Sequence, residues 1–451
     1  MSNPVDQYIE QHLNDSVAEL SRLCAQPSVS AQGLGVKECA ELVAEMLRKR
    51  GFTAQVHPTR GHPIVTAEIK GKKNKTLMFY NHYDVQPPEP LELWESPPFT
   101  PTVRDGKLFA RGVSDDKGHI QSRLAALDAI KAVTGELPCN FKFVIEGEEE
   151  ISSVNLPPFV QAHAQELAAD ACIWEFGGVN SREEPAMYLG MRGICYVELS
   201  VELLTQDVHS GIGGSIFPNA AWRLVWALST LKDKSERILI PGFYDDTKQP
   251  SARDLEMLAK LPDSTEDWKK RYGVKEFLKG LKPGVELKRE AVFVPTCTIC
   301  GLNSGYQGKG SKTVLPARAS AKVDFRLVPD QDPEDIVAKL RKYLDAQGFN
   351  DVQVNFLGGE KPGRTDPDHP FIKLVADTAR EVYGKEMEIA PMIGGSGPYF
   401  AFSNYLQVPI GASGIGHSGS QAHAPNENIR LDLFVKGTQH TARVIQRFAD
   451  A

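Results

Sequence analysis

The chain has 451 residues, of which 41% are hydrophobic and 24% charged, with a formal net charge of −7 at pH 7. That length exceeds one simple core and, with the composition of a soluble globular protein, predicts two domains. The acidic balance argues against a nucleic-acid binder, which needs a basic face to displace counterions, and no window approaches the ~20 apolar residues that span a bilayer.

Residues 1–11 are polar, carry Asp6 and Glu10, and have neither a basic n-region nor an apolar h-region, so no signal peptide is expected. The cysteines number seven, an odd count that predicts free thiols in a reducing, cytoplasmic compartment. Cys297 and Cys300 form one CxxC without a second Cys or His pair, and read as structural thiols.

Apolar periodicity predicts amphipathic helices over 8–23 and 36–49, the second stopped by Gly51. Strand-like runs follow at 52–56, 64–69 and 76–83, then a long helix over 119–133, strands at 141–145 and 171–174, and a helix near 159–168. Helix alternating with strand predicts a parallel or mixed sheet covered on both faces. Near Met191 the pattern changes. β-rich runs at 194–203, 292–299 and 319–327, helices over 220–231 and 333–346, a strand at 352–356 and a polar stretch over 232–283 suit an α+β module. Helix–strand alternation resumes after Lys361, with helices over 371–382 and 431–449. The expected architecture is an α/β domain from 1–193 and 362–451, interrupted by an inserted α+β domain over 194–361.

Five segments carry acidic or histidine side chains, most of them just after strand-like runs, where open α/β sheets place their ligands. His82 and Asp84 share a face if their strand continues, so Asp84 can orient a metal-bound His82; a polar strand end is the plainer reading. Asp115 and Asp116 open a helix, either as caps or as a cation-bridging Asp115 beside a structural Asp116. Glu146-Gly147-Glu148-Glu149-Glu150 follows a buried-looking strand, where clustered anions repel unless cations neutralise them. Glu175 ends another strand, and His423 lies in a Gly/Ser-rich loop where His417 competes with it. This nitrogen and oxygen set suits Zn²⁺, Mn²⁺ or Co²⁺. No P-loop, GxSxG elbow or dinucleotide fingerprint is present, and Gly211-Ile212-Gly213-Gly214 lacks the rest of a nucleotide motif.

Seven segments in register give the chain its resemblance: His82-Tyr83-Asp84-Val85-Gln86-Pro87, Ser114-Asp115-Asp116-Lys117-Gly118, Glu146-Gly147-Glu148-Glu149-Glu150, Asp207-Val208-His209-Ser210-Gly211, Phe325-Arg326-Leu327-Val328-Pro329, Gly394-Gly395-Ser396 and Ala422-His423-Ala424-Pro425-Asn426-Glu427. The chain resembles the carnosinase/aminoacylase family of di-zinc metallopeptidases, related also to succinyl-diaminopimelate desuccinylase, acetylornithine deacetylase and glutamate carboxypeptidase, and within it the dipeptidase branch most. The resemblance implies a zinc-peptidase-like catalytic domain, with the insert serving as a lid and dimerisation domain.

It further implies two divalent metals per chain, zinc or else manganese or cobalt. His82 and Glu175 would hold one, Glu150 and His423 the other, and Asp115 would bridge them. Metal-bound hydroxide would attack the amide, with Glu149 as general base and then general acid and Asp84 orienting His82. The peptide bond after Asp115 would be cis. His209 would meet the developing oxyanion from the partner subunit of a homodimer, and Thr313 would help bind substrate in the same way. Arg326, Gly395, Ser396 and Gly397 would hold the substrate's C-terminal carboxylate. The implied substrate is a dipeptide or short peptide. Glu175 stands where dipeptidases usually carry Asp and the deacylase and carboxypeptidase branches Glu, so N-acyl amino acid deacylation or carboxypeptidase action is the alternative, ahead of a non-catalytic binding protein.

Overall fold

The computed structural model describes residues 3–451; Met1 and Ser2, the first two residues of the stretch without signal-peptide character, lie outside the described residues. The chain forms two compact units. The first comprises the described residues up to Leu189 together with Thr365–Pro391 and Ala401–Ala451; the second comprises Gly190–Arg364 and Met392–Phe400.

The first unit is built on a six-stranded sheet in the order Thr53–His57, Ile64–Ile69, Cys139–Glu146, Lys73–His82, Ala171–Trp174, Ile410–Ala412. The first two pairings are antiparallel and the remaining three parallel. The central strands are near-continuous apolar runs, with Leu77, Met78, Phe79 and Tyr80 beside Phe141, Phe143, Val144 and Ile145, all buried. This is the signature of strands covered on both faces. The helix Lys117–Thr134 packs against Leu431–Asp450. A Cβ at Gly437 would come within 2.3 Å of the Gly414 carbonyl oxygen, so only glycine lets the last helix approach that loop so closely.

The second unit carries a four-stranded antiparallel sheet in the order Thr296–Ser304, Arg318–Leu327, Gly193–Glu202, Gln353–Glu360. Alternate residues Cys195, Val197, Leu199 and Val201 of one strand, and Ala321, Val323 and Phe325 of its neighbour, are buried with Leu224 and Leu231 of Ala220–Leu231 and Leu340 of Pro333–Ala346. Helices thus cover one face of the sheet, as the alternation predicts.

Three local expectations need correction. The helix expected over 8–23 is two helices, Pro4–Gln11 and Leu13–Ala25, broken at His12, whose Nδ1 lies 2.9 Å from the Tyr8 carbonyl oxygen. The β-rich run at 292–299 begins as the helix Val285–Phe293, and its strand starts only at Thr296. Phe293 packs there with Leu258 and Met392, so tertiary packing overrides local β-propensity. The polar stretch over 232–283 contains helices Ala252–Lys260, started by a Ser251–Asp254 capping box, and Thr265–Tyr272. No helix among the described residues is long and apolar enough to cross a membrane.

Candidate active site and metal centre

Parallel strands bring their carboxyl ends to one edge of the sheet. His82 ends Lys73–His82, Glu146 ends the adjacent Cys139–Glu146, and Glu175 directly follows Ala171–Trp174 on the other side. Asp115 and Asp116 precede the helix Lys117–Thr134, joined by a cis peptide bond. His82, Asp115 and Glu150 each offer a ligand atom within 4.8 Å of the others, and so do His82, Asp116 and Glu175.

Asp115 has a divided geometry. Its Oδ1 lies 2.9 Å from His82 Nε2 and its Oδ2 lies 2.9 Å from His423 Nε2. His423 Nε2 is also 3.1 Å from Glu150 Oε2. One carboxylate therefore stands between two imidazoles, one oxygen towards each. His417, the rival in the same loop, instead pairs with Asn428 Oδ1 at 3.2 Å. His423 is held at a positive φ of 62°, in the left-handed region.

The surrounding contacts fix these groups. His82 Nδ1 donates to the Asp84 backbone oxygen at 3.0 Å, with Asp84 Oδ1 at 3.3 Å. The Asp84 carboxylate accepts from the backbone N–H groups of Glu149 and Glu150 at 3.2 and 3.1 Å. Asp84 therefore ties the histidine strand to the turn that presents both glutamates. At Gly147 a Cβ would meet the Tyr83 hydroxyl at 2.3 Å, so glycine lets that turn close over Tyr83. Asp116 Oδ2 accepts from Asn81 Nδ2 at 2.6 Å and from the His82 N–H at 3.2 Å, and its Oδ1 lies 2.9 Å from His119 Nδ1. The acidic run also divides. Glu148 is satisfied by Asn155 and the His62 N–H, so hydrogen bonds account for that carboxylate without a cation, whereas Glu146 accepts from Tyr80 and Ser153 through Oε1 alone and its Oε2 is buried without a hydrogen-bond partner among the described residues.

Sequence reasoning gave no role to two residues that shape the site. Glu427 accepts from the loop that carries Asp115. Arg123 Nη2 donates to the backbone oxygens of Trp174, Glu175 and Ser413, fixing the chain at Glu175. Glu427 lay inside a motif already singled out, but nothing marks Arg123 as different from any helix-face arginine.

The cluster attracts positive charge. Burial pushes Glu149 up to about 8, with Glu150, Asp115 and Asp84 adding to the shift and His82 opposing it. Burial and then Glu149 raise Glu175 well above the carboxylate range. Burial works against a charged His82, but Asp115 and Asp84 outweigh it and raise the ring well above its ordinary value. Contacts with Asp115 and Glu150 lift His423 to about 10. Converging anions that hold protons so tightly meet the same demand by binding divalent cations. Glu150 Oε1 and Glu175 Oε2 are buried without a hydrogen-bond partner, as ligand atoms facing a cation would be. Imidazole and carboxylate donors fit such an ion.

Two further pairs lie in the second unit. Thr313 Oγ1 is 3.1 Å from His209 Nε2, joined through the short pairing of Val208–His209 with Val314–Leu315. Arg326 Nη1 donates to Ser396 Oγ at 2.8 Å, and the neighbouring Gly395 carbonyl accepts from the Arg192 N–H at 3.0 Å.

Fold and site together define a metal-dependent hydrolase of the kind the motifs resemble. Residues 78–447 match the family model described as peptidase family M20/M25/M40, and the chain belongs to that family. It is 28% identical to the Beta-Ala-His dipeptidase of Rattus norvegicus across 96% of this chain and 92% of that protein. It is likewise 28% identical to a Cys-Gly metallodipeptidase of Schizosaccharomyces pombe, covering 95% and 94%. The crystal structure of an M20 family metallo-carboxypeptidase from Sulfolobus solfataricus superposes with a TM-score of 0.90 at 37% identity, over 97% of this chain and 99% of that one. The chain is a metallopeptidase.

Proposed function

We propose that this metallopeptidase hydrolyses dipeptides and short peptides bearing a free C-terminal carboxylate, using two zinc ions. The observation that carries the reading is the Asp115 carboxylate, with one oxygen towards His82 and the other towards His423. His82 and Glu175 would hold one ion, Glu150 and His423 the other, and Asp115 would serve both. When bound, the pair lowers the pKa of a water and polarises the scissile carbonyl. Glu149 takes the proton of the attacking water and passes it to the leaving amine, as a carboxylate with a raised pKa is suited to do. Asp84 holds His82 in the tautomer that turns Nε2 inwards. Arg326 and Ser396, with the backbone of Gly395 and Gly397, take the substrate carboxylate.

The protein works as a homodimer in which the inserted unit carries the interface, and His209 and Thr313 of each subunit serve the active site of the other. The helix Ala220–Leu231 exposes Trp222 and Trp226, stacked 5.9 Å apart, and the edge strand Thr296–Ser304 exposes Ile299 and Leu302. Such apolar surface favours a second copy over solvent. The free cysteines, Cys24 to Cys300, support a cytoplasmic setting.

The dipeptidase relatives put dipeptides first. The Sulfolobus structure supports a second reading, carboxypeptidase action on longer or N-blocked peptides. The deciding experiment is an activity screen of dipeptides, N-blocked dipeptides and N-acyl amino acids with defined added metals. Hydrolysis of free dipeptides with about two metals bound per chain is expected. Turnover of acyl amino acids alone would overturn the reading. Mixing His209→Ala with Glu149→Gln dimers should restore activity that neither has alone; no recovery after demonstrated subunit exchange excludes sharing.

A further inference from the structure

Arg326 lies two residues beyond Asp324 on the strand Arg318–Leu327, so the two side chains stand on the same face of the sheet. That face looks away from the core, into which Val323, Phe325 and Leu327 point. Asp324 Oδ2 lies 3.4 Å from Arg326 Nε, while Ser396 Oγ accepts from Nη1 at 2.8 Å. The guanidinium is thus hydrogen-bonded at Nη1 and held by charge at Nε, and Nη2 makes no hydrogen bond among the described residues. Asp324 itself is only 12% exposed, and its Oδ1 is buried with no hydrogen-bond partner. Asp324 pairs with no other cation and caps no N–H among the described residues. A carboxylate buried at that cost, in contact with one arginine only, is poorly explained as a device of the fold.

We infer that Asp324 is a positioning residue for substrate binding: it fixes Arg326 through Nε, so that Nη2 and the remaining Nη1 hydrogen present a preformed fork to a free α-carboxylate. The inference rests on Arg326 being the group that holds that carboxylate. An unanchored arginine loses much rotamer freedom when it clamps a ligand, whereas one already held on two sides loses little. The negative charge of Asp324 works the other way, because it weakens the attraction between Arg326 and an incoming anion. Its net benefit therefore comes from the geometry it imposes, and an uncharged acceptor in the same place should serve as well.

The test compares steady-state kinetics of the metal-loaded wild-type enzyme, R326A, D324A and D324N on a dipeptide and on the same dipeptide with a C-terminal amide. In D324A the KM for the free dipeptide should rise about tenfold, with kcat and the KM for the amide unchanged. D324N, which keeps an acceptor for Nε, should hold KM within about twofold of wild type. In an R326A background D324A should have no further effect on KM. If R326A leaves the preference for the free carboxylate intact, the reading of Arg326 falls and this inference with it. If R326A erases the preference while D324A leaves KM unchanged, the positioning role alone is overturned. An equal loss on both substrates, with kcat reduced, shows a merely structural role and also overturns it. Should D324A fail to fold by circular dichroism, D324S carries the same expected rise in KM.

Discussion

The Glu427 carboxylate accepts a hydrogen bond from the backbone N–H of Asp115 at 3.0 Å, although 312 residues separate them. The same oxygen accepts from the Ser114 N–H, and the other from the Gly112 N–H and Arg111 Nη1, each at 2.8 Å. A residue four positions beyond His423 thus shapes the loop that presents Asp115, the proposed bridging ligand. Both members of the Arg111–Glu427 ion pair are about 1% exposed. Glu427→Ala would leave Arg111 buried and unpaired and three backbone donors without acceptors, so a loss of about 3–5 kcal/mol is expected. Denaturant unfolding measures that loss, and mass spectrometry of the refolded variant should find fewer than two metals per chain. Wild-type stability with full metal content would show that the loop holds its shape without Glu427.

Glu149 differs from its neighbour Glu150 in what surrounds it. Glu150 Oε2 faces His423 and accepts from Gln86 Nε2 at 2.9 Å, whereas Glu149 is raised by burial and by surrounding carboxylates. Glu149→Gln should keep metal content near wild type and lower kcat by a factor of about 10²–10⁴, the range for losing a general base. Glu150→Gln should instead reduce metal content. Equal metal loss in both variants would assign Glu149 to holding the cation.

Much of this site could be read from the sequence because strand ends and motifs coincide. His82, Glu146 and Glu175 each close or follow an apolar run, and the parallel order of three such strands brings them together. His423 could not be chosen over His417 from spacing, because a Gly/Ser-rich loop has no period to fix direction; the fold does so by turning His417 to Asn428. The acidic run after Ile145 read as one cluster, yet Glu146 and Glu148 serve hydrogen bonds from Tyr80, Ser153 and Asn155 that depend on the packing of distant segments. Helix Thr265–Tyr272 was hidden because nearly every residue in it is polar, and Ala252–Lys260 because nine residues give its apolar spacing too little length to repeat. The strand assigned to 292–299 failed at its start because Val292 and Phe293 favour β structure locally but pack as a helical turn.

Cations and protons compete for the same atoms. His423 is raised to about 10 and Glu149 to about 8, so both favour their protonated forms at pH 7 in the metal-free cluster, and His82 and Glu175 are raised in the same direction. Divalent ions displace such protons, so metal binding releases protons and affinity rises with pH until those groups are already deprotonated. Calorimetric titration of the chelator-treated protein with Zn²⁺, in two buffers of different ionisation enthalpy, should give apparent enthalpies that differ by more than one proton's worth per chain. Apparent enthalpies independent of buffer would show that the ligands are already deprotonated at neutral pH.

Acid should destabilise the fold through His440 as well as through the metal site. His440 is fully buried in the helix Leu431–Asp450, its Nε2 donating to the Val375 carbonyl at 3.1 Å and its Nδ1 accepting from Ser413 Oγ at 2.9 Å. Burial lowers its pKa from 6.5 to about 4. Above pH 6.5 the ring is neutral both folded and unfolded, and its contribution is whole. As pH falls from there towards about 4, the unfolded chain takes up a proton that the native ring refuses, so stability declines. The shift corresponds to roughly 3 kcal/mol across that window. Chelator-treated wild type and His440→Gln, unfolded in denaturant at steps from pH 7 to pH 4, separate this group from the metal ligands. The variant is less stable at pH 7, and the gap should narrow steadily with acid because glutamine does not titrate; curves that stay parallel would assign the acid sensitivity elsewhere. The Ser413 carbonyl is held separately by Arg123, which also binds the Glu175 backbone, so the contact that His440 makes is with the hydroxyl of that residue alone.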